Sequence, residues 1–63
     1  MKYKINDVLI HKKSYSQWII KSKDYIYNDN NLIIDKEFSL YNNNNNKNII
    51  LNEIDIFKYF IKK

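Results

Sequence analysis

Histidine is the side chain that exchanges protons near neutral pH, and His11 is the only one in this 63-residue chain. It stands between Ile10 and the pair Lys12-Lys13, with no second histidine to act beside it. Ser14, Ser16, Ser22 and Ser39 therefore have no base-and-orienter set, and none sits in a nucleophile elbow. The chain has no glycine, which removes both common phosphate-cradling loops. It has no cysteine, so disulfides are impossible and a zinc site of Cys and His ligands is excluded. Asp24, Asp29, Asp35 and Glu37 could offer oxygen ligands to a divalent cation. Their spacing fits no calcium loop, and they read as scattered, solvated carboxylates. The expectation is a chain without catalysis, cofactor or metal.

Binding chemistry is better represented. Tyr15, Trp18, Tyr25, Tyr27 and Tyr41 interleave with Lys12, Lys13, Lys21 and Lys23. Rings on which bases stack, beside ammonium groups that follow phosphate, are the equipment of single-strand nucleic-acid binders. Tyr and Trp are equally the side chains that anchor protein interfaces at low entropic cost. Arginine, the usual reader of base edges, is absent. Residues 24–37 carry four carboxylates against Lys36, a balance of −3, and would repel phosphate wherever they border the basic face. A protein partner is thus favoured over nucleic acid. The candidate surface is Lys12, Lys13, Tyr15, Lys21, Lys23, Tyr25, Tyr27 and Tyr41, with Trp18 assigned to the core.

Composition tempers both readings. Lys (11), Asn (11), Ile (12), Tyr (6) and Phe (3) dominate, while Gly, Pro, Ala and Arg are missing. The first group has AT-rich codons, so an AT-biased genome explains the all-lysine charge and the asparagine run of residues 42–46. Residues 1–23 hold six lysines against Asp7, or +5, and residues 38–63 balance at +2. Uninterrupted apolar runs reach three residues, too short to span a bilayer, and residues 1–20 show no signal-peptide pattern. A soluble, cytoplasmic chain is expected.

The elements that must position these residues follow from alternation and turn chemistry. Without glycine, asparagine must supply the left-handed turn conformations. Residues 3–12 alternate, with Val8 and Ile10 on one parity, Tyr3 and Ile5 on the other, and a turn or bulge at Asn6-Asp7. Residues 14–16 form a short connection, and residues 17–27 read as a strand rich in β-branched and aromatic side chains. Asn28-Asp29-Asn30-Asn31 is the strongest turn signal. Residues 32–34 and 38–41 read as two short apolar pieces, followed by a solvated asparagine loop and a strand at 48–51. Every connection is too short for a crossover helix, so the strands are antiparallel.

Residues 52–63 change period. On a helical wheel Ile54, Ile56, Phe57, Phe60 and Ile61 share one half, Asn52 is placed to cap, and Lys62 and Lys63 close the last turn. A final strand is the competing reading. The expected buried set is Val8, Ile10, Trp18, Ile20, Leu32, Ile34, Phe38, Leu40, Ile49, Leu51, Ile54, Phe57 and Ile61. The fold class is mainly β: one domain, a small antiparallel sheet or SH3-like barrel with a short C-terminal helix.

YKINDVLIHKK followed by WIIKS resembles the opening of small SH3-like barrels, in which an aromatic and an aliphatic residue precede Gly-Asp, a strand and a hairpin. NIILNEIDIF is similar to their closing pattern, a strand entering an acidic helical turn. The resemblance covers about half of the chain and departs from the pattern at Asn6, where the glycine stands. It implies binding of peptides, modified side chains or nucleic acid. A short AT-rich frame without a catalytic set also fits the accessory proteins of phages and mobile elements. Many of those inhibit a larger host protein, the anti-CRISPR type included.

Overall fold

Asparagine takes glycine's place in the turns. In the computed structural model, which describes residues 3–63, positive φ occurs at Asn6 (76°), Tyr15 (60°), Asn31 (59°) and Asn46 (55°). Asn6 occupies the third position of the turn closed by the Asp7 N–H donating to the Lys4 carbonyl, a position that glycine takes in type II turns. Asn28 organises the next turn by accepting from the Asn30 and Leu32 N–H groups through its side-chain oxygen. Asn42, Asn45 and Asn46 likewise accept bonds from Asn44, Lys47 and the Tyr41 hydroxyl. The asparagine run is a self-capped loop, and its first member, Asn42, is the last residue of a strand and buried, not solvated.

These turns join β1 (Val8–His11), β2 (Gln17–Tyr27), β3 (Ile33–Asn42) and β4 (Lys47–Asn52) into an antiparallel meander. A helix, α1 (Glu53–Tyr59), leads into β5 (Phe60–Lys62), which returns to pair with β1. The single sheet has the order β4-β3-β2-β1-β5 and stays open, with β4 and β5 at its edges. The fold is therefore mainly β with one short C-terminal helix. Residues 32–34 and 38–41 belong to one continuous strand, apart from Leu32, because Asp35, Lys36 and Glu37 lie within β3.

Both readings of the C-terminal segment describe part of it. The Asn52 side chain caps α1 by accepting from the Asp55 N–H at 2.8 Å, and Glu53 and Asp55 lie in its first turn. The helix ends at Tyr59, where Phe60 turns extended while its N–H still reaches the Ile56 carbonyl. Lys62 and Lys63 are thus not helical: Lys62 ends β5, and the Lys63 N–H donates to the Val8 carbonyl. Lys62 also pairs with Asp7 at 3.2 Å, tying the last strand to the first turn.

The core comprises Tyr3, Leu9, Trp18, Ile20, Phe38, Leu40, Ile56 and Phe60, with Ile49 and Leu51 half-buried against it. Trp18, Ile20, Phe38 and Leu40 match the expected set; much of the rest does not. Val8 and Ile10 are only half-buried, because the register places Leu9 opposite Trp18 on the inner face. Ile54, Phe57 and Ile61 are exposed, because a helix of two turns that becomes a strand points only Ile56 and Phe60 inward. Leu32 and Ile34 are exposed for a different reason: they lie past Glu37, where the pairing of β4 with β3 ends.

Candidate functional site

β2 and β3 are 11 and 10 residues long, whereas β1 and β4 have 4 and 6. β1 covers β2 through Gln17–Ile19, and backbone bonds between Asn6, Asp7 and Ile20 extend that cover by one residue. On the far side β4 reaches only as far as the pair Glu37–Asn52. From Ser22 onward β2 has no neighbour on the β1 side, and residues 25–36 continue as a two-stranded arm past both neighbours, in a molecule measuring 40 × 21 × 16 Å.

A register shift decides which side chains share the arm's faces. Ile20 pairs with Leu40 and Ser22 with Ser39, so Lys21 is an extra residue in the ladder. The bulge moves the inner face from even positions, Trp18 and Ile20, to odd ones. Lys23 lies opposite the buried Phe38, Tyr25 opposite Lys36, and Tyr27 opposite Ile33. The other face pairs Asp24 with Glu37 and Ile26 with Asp35. Alternation thus sorts lysines and tyrosines onto the face that continues the core, and carboxylates onto the other. Two carboxylates opposite one another add no pairing energy to the ribbon.

Tyr25, Tyr27, Leu32, Ile33 and Ile34 are all exposed on this arm. The Lys23 ammonium stands 5.4 Å from the Tyr25 ring centre. Where the arm leaves the sheet, Ile33, Ile34, Asp35 and Lys36 face Glu53 and the exposed Ile54 of α1 across a cleft of about 280 Å³.

The eight residues named from sequence fall in three places. Lys23, Tyr25 and Tyr27 share the arm's inner face. Lys12, Lys13 and Tyr15 lie in the β1–β2 turn. There the Lys12 ammonium donates to the Phe57 carbonyl at 3.1 Å and stands 5.8 Å from its ring, fastening the turn to α1. Tyr15 is 79% exposed and holds a backbone conformation that costs an L-residue about 1–2 kcal/mol. Lys21 and Tyr41 meet on the outer face, 5.9 Å apart, and the Tyr41 hydroxyl is engaged by Asn46.

His11 organises the β1–β2 turn. Its Nδ1 accepts from the Lys13 and Ser14 N–H groups, both at 3.2 Å. Its ring meets Phe60 edge-on at 5.1 Å. Among the described residues no three His, Cys, Asp or Glu side chains are grouped to hold a metal ion.

A second concave feature lies along the inner face of the sheet, from the β1–β2 turn to β4. His11, Ser14, Ser16, Trp18, Ile49, Leu51, Tyr59 and Phe60 line an apolar groove of about 410 Å³. The indole Nε1 donates to Ser16 Oγ at 2.9 Å, and its ring packs edge-on against Phe60. This is the core's open mouth. Sequence periodicity could not find it, because it marks Trp18, Ile49 and Leu51 as core without saying where the core stops. No family model matches the chain, and no curated protein or solved structure matches it either.

Proposed function

We propose that this chain is a small non-catalytic binding protein whose arm recognises a larger protein. One observation carries the reading: residues 25–36 form a two-stranded ribbon without further sheet neighbours, and five large apolar side chains stand exposed on it. A two-stranded ribbon is marginal in water by itself, and exposed apolar edges invite pairing. Such an arrangement is retained where a partner covers it.

Single-strand nucleic acid is the second reading, and the register supports it by gathering Lys23, Tyr25 and Tyr27 on a face free of Asp24, Asp35 and Glu37. The aliphatic set weighs against it. Leu32, Ile33, Ile34 and Ile54 offer nothing for a base to stack on, and Asp35 and Glu53 share their cleft. Protein is the partner that uses both rings and aliphatics.

The source and target class rest on composition. The AT-biased frame supports an accessory protein of a phage or mobile element that inhibits a host factor, of the anti-defence type. The SH3-like resemblance is carried by the sequence pattern alone, with Asn6 at positive φ where that pattern has glycine. Among the described residues no helix is long and apolar enough to cross a membrane.

The test is retention of host protein on the immobilised chain after nuclease treatment, compared with the Tyr25→Ala, Tyr27→Ala double variant. Retention that survives nuclease and falls at least 30-fold in affinity in the variant is expected, as for loss of an aromatic anchor worth about 2 kcal/mol. Submicromolar binding to a generic single-stranded oligonucleotide at physiological salt would sink the reading. A slope of log K against log salt near −0.7 per phosphate contacted would identify that ligand.

A further inference from the structure

The two edges of the sheet are finished differently. β5 is three residues long, contains Lys62 and is followed by Lys63. Shortness and lysine are the usual means by which an edge refuses another strand. β4 has neither along its middle. It pairs with β3 over all six of its residues in one unbroken register, and among the described residues its other side meets no strand. Residues 48–52 are uncharged, and Ile50 is 64% exposed. Such a flat row of unpaired N–H and C=O groups is matched group for group only by another extended chain.

The residues of this edge select the chain that fits it. Residues 47–53 read Lys-Asn-Ile-Ile-Leu-Asn-Glu, which is complementary to itself when two copies run antiparallel. Centred on Ile50, the pairing sets Asn48 opposite Asn52, Ile49 opposite Leu51, and Ile50 opposite its own copy. At both ends Lys47 comes level with Glu53, in the acidic first turn of α1. The two Lys47 residues stay about 20 Å apart at 3.4 Å per residue. Face parity agrees with this register. Ile49 and Leu51 line the groove on the inner face, whereas Ile50 alternates to the outer one. Residues directly opposite in an antiparallel ladder share a face, so both grooves stay on one side of the joined sheet.

We propose that the chain forms a two-fold dimer by antiparallel pairing of β4 with β4 of a second copy. The contact is isologous, and growth stops at two because the edges left over are the blunted β5 strands. One strand pair is smaller than a standard interface, so the dimer is weak. Main-chain hydrogen bonds, the Ile50 pair and the two Lys47–Glu53 pairings carry it. The arms take no part, and the inference does not depend on what they bind. Each arm lies past the Asn52 end of its own β4, so the dimer points the two in opposite directions. A target then meets two equivalent arms on one particle.

Sedimentation velocity from about 10 µM to about 1 mM at low ionic strength tests this on the whole chain, with circular dichroism verifying that each variant folds. A closed dimer with a Kd on the order of 100 µM is expected, and amide exchange at residues 48–52 should slow as concentration rises. Ile50→Lys changes an exposed side chain and sets two ammonium groups opposite one another on the axis. It should weaken the dimer by about tenfold or more. Lys47→Glu and Glu53→Lys should each weaken it about threefold, because like charges then meet at both ends. An equimolar mixture of these two should recover the parental affinity, since both ends of the mixed dimer pair opposite charges. The Tyr25→Ala, Tyr27→Ala variant should dimerise as the parent does. A monomer throughout the range overturns the proposal, as does a dimer that Ile50→Lys leaves intact or a mixture no tighter than its components. Open-ended growth also overturns it, because β4 would then be pairing with β5 of the next copy. So does a dimer lost with the two tyrosines, which would mean contact through the arms.

Discussion

The body and the arm are built from the same alternating residues, yet one half of β2 is buried and the other is not. Trp18 and Ile20 meet Leu9, Phe38, Leu40, Ile56 and Phe60 from four other elements. Tyr25 and Tyr27, on the same face of the same strand, have only β3 paired beside them. The difference is one of coverage, not of residue type. A strand face becomes core where neighbours on both sides and a helix above it supply contacts, and it remains surface where they end.

The largest consequence is in stability. Leu40→Ala removes a fully buried side chain and should cost about 2–5 kcal/mol. The whole chain has about 3–9 kcal/mol at 0.05–0.15 kcal/mol per residue, so this variant should lose about half of its stability or more and melt far below the parent. Ile34→Ser on the arm and Phe57→Ala on α1 touch exposed side chains and should stay within about 1 kcal/mol of the parent. Thermal melts followed by circular dichroism decide it. If Ile34→Ser melts like Leu40→Ala, the arm is packed in the free protein and the comparison fails.

This contrast also marks how far the sequence could be read. Alternation and asparagine turns located the strands, because both are local properties of the chain. Phe38 and Leu40 were legible because Glu37 and Ser39 alternate with them, and Trp18 and Ile20 because they share the parity marked by the sole indole. Val8, Leu9 and Ile10 are consecutive aliphatics, so parity alone could not choose Leu9; only the pairing Leu9–Trp18 does. Ile54, Phe57 and Ile61 fit a helical face, but the helix stops at Tyr59, and its length depends on β5 being drawn onto β1. Leu32 and Ile34 have the pattern of core residues, and nothing local reveals that β4 ends opposite Glu37. The same blindness affects the candidate site. Tyr25 and Tyr27 could be named from their type, but their place on the face that continues Trp18 and Ile20 depends on a bulge at Lys21 that no local signal marks.

The turns that close body and arm sharpen the comparison at smaller scale. Asn42 is buried at the end of β3, and its side chain holds the Asn44 N–H at 2.9 Å. Asn42→Ala strands that donor and should lower global stability by about 1–3 kcal/mol. Asn28 holds two N–H groups at the arm's tip, also through its side chain. Asn28→Ala should leave the melting curve nearly unchanged while amide exchange across residues 24–36 accelerates, since only the ribbon opens. Hydrogen exchange of both variants separates the outcomes. Equal protection loss in body and arm for Asn28→Ala would show that the two open as one unit.

The smallest effect concerns a single charge that serves the body alone. The Asp7 carboxylate accepts from the Lys4 backbone N–H at 2.8 Å and pairs with Lys62 at 3.2 Å. The backbone bond, with lesser help from Lys62, holds its pKa below the ordinary value of 3.8. A carboxylate whose folded pKa is depressed stabilises the fold fully above the unfolded value. That contribution is lost as pH falls from about 4 through the lower folded value. Asp7→Asn keeps the shape and an acceptor oxygen but has no charge to titrate. The parent should therefore melt a little higher than Asp7→Asn between pH 5 and 7, and the two should converge near pH 2. Added salt should narrow the gap only in part, because the bond to the backbone N–H is not a pairing of two mobile ions. A constant difference between the two proteins from pH 7 down to pH 2 would mean that the Asp7 charge contributes nothing. The link between β5 and the first turn would then rest on backbone pairing alone.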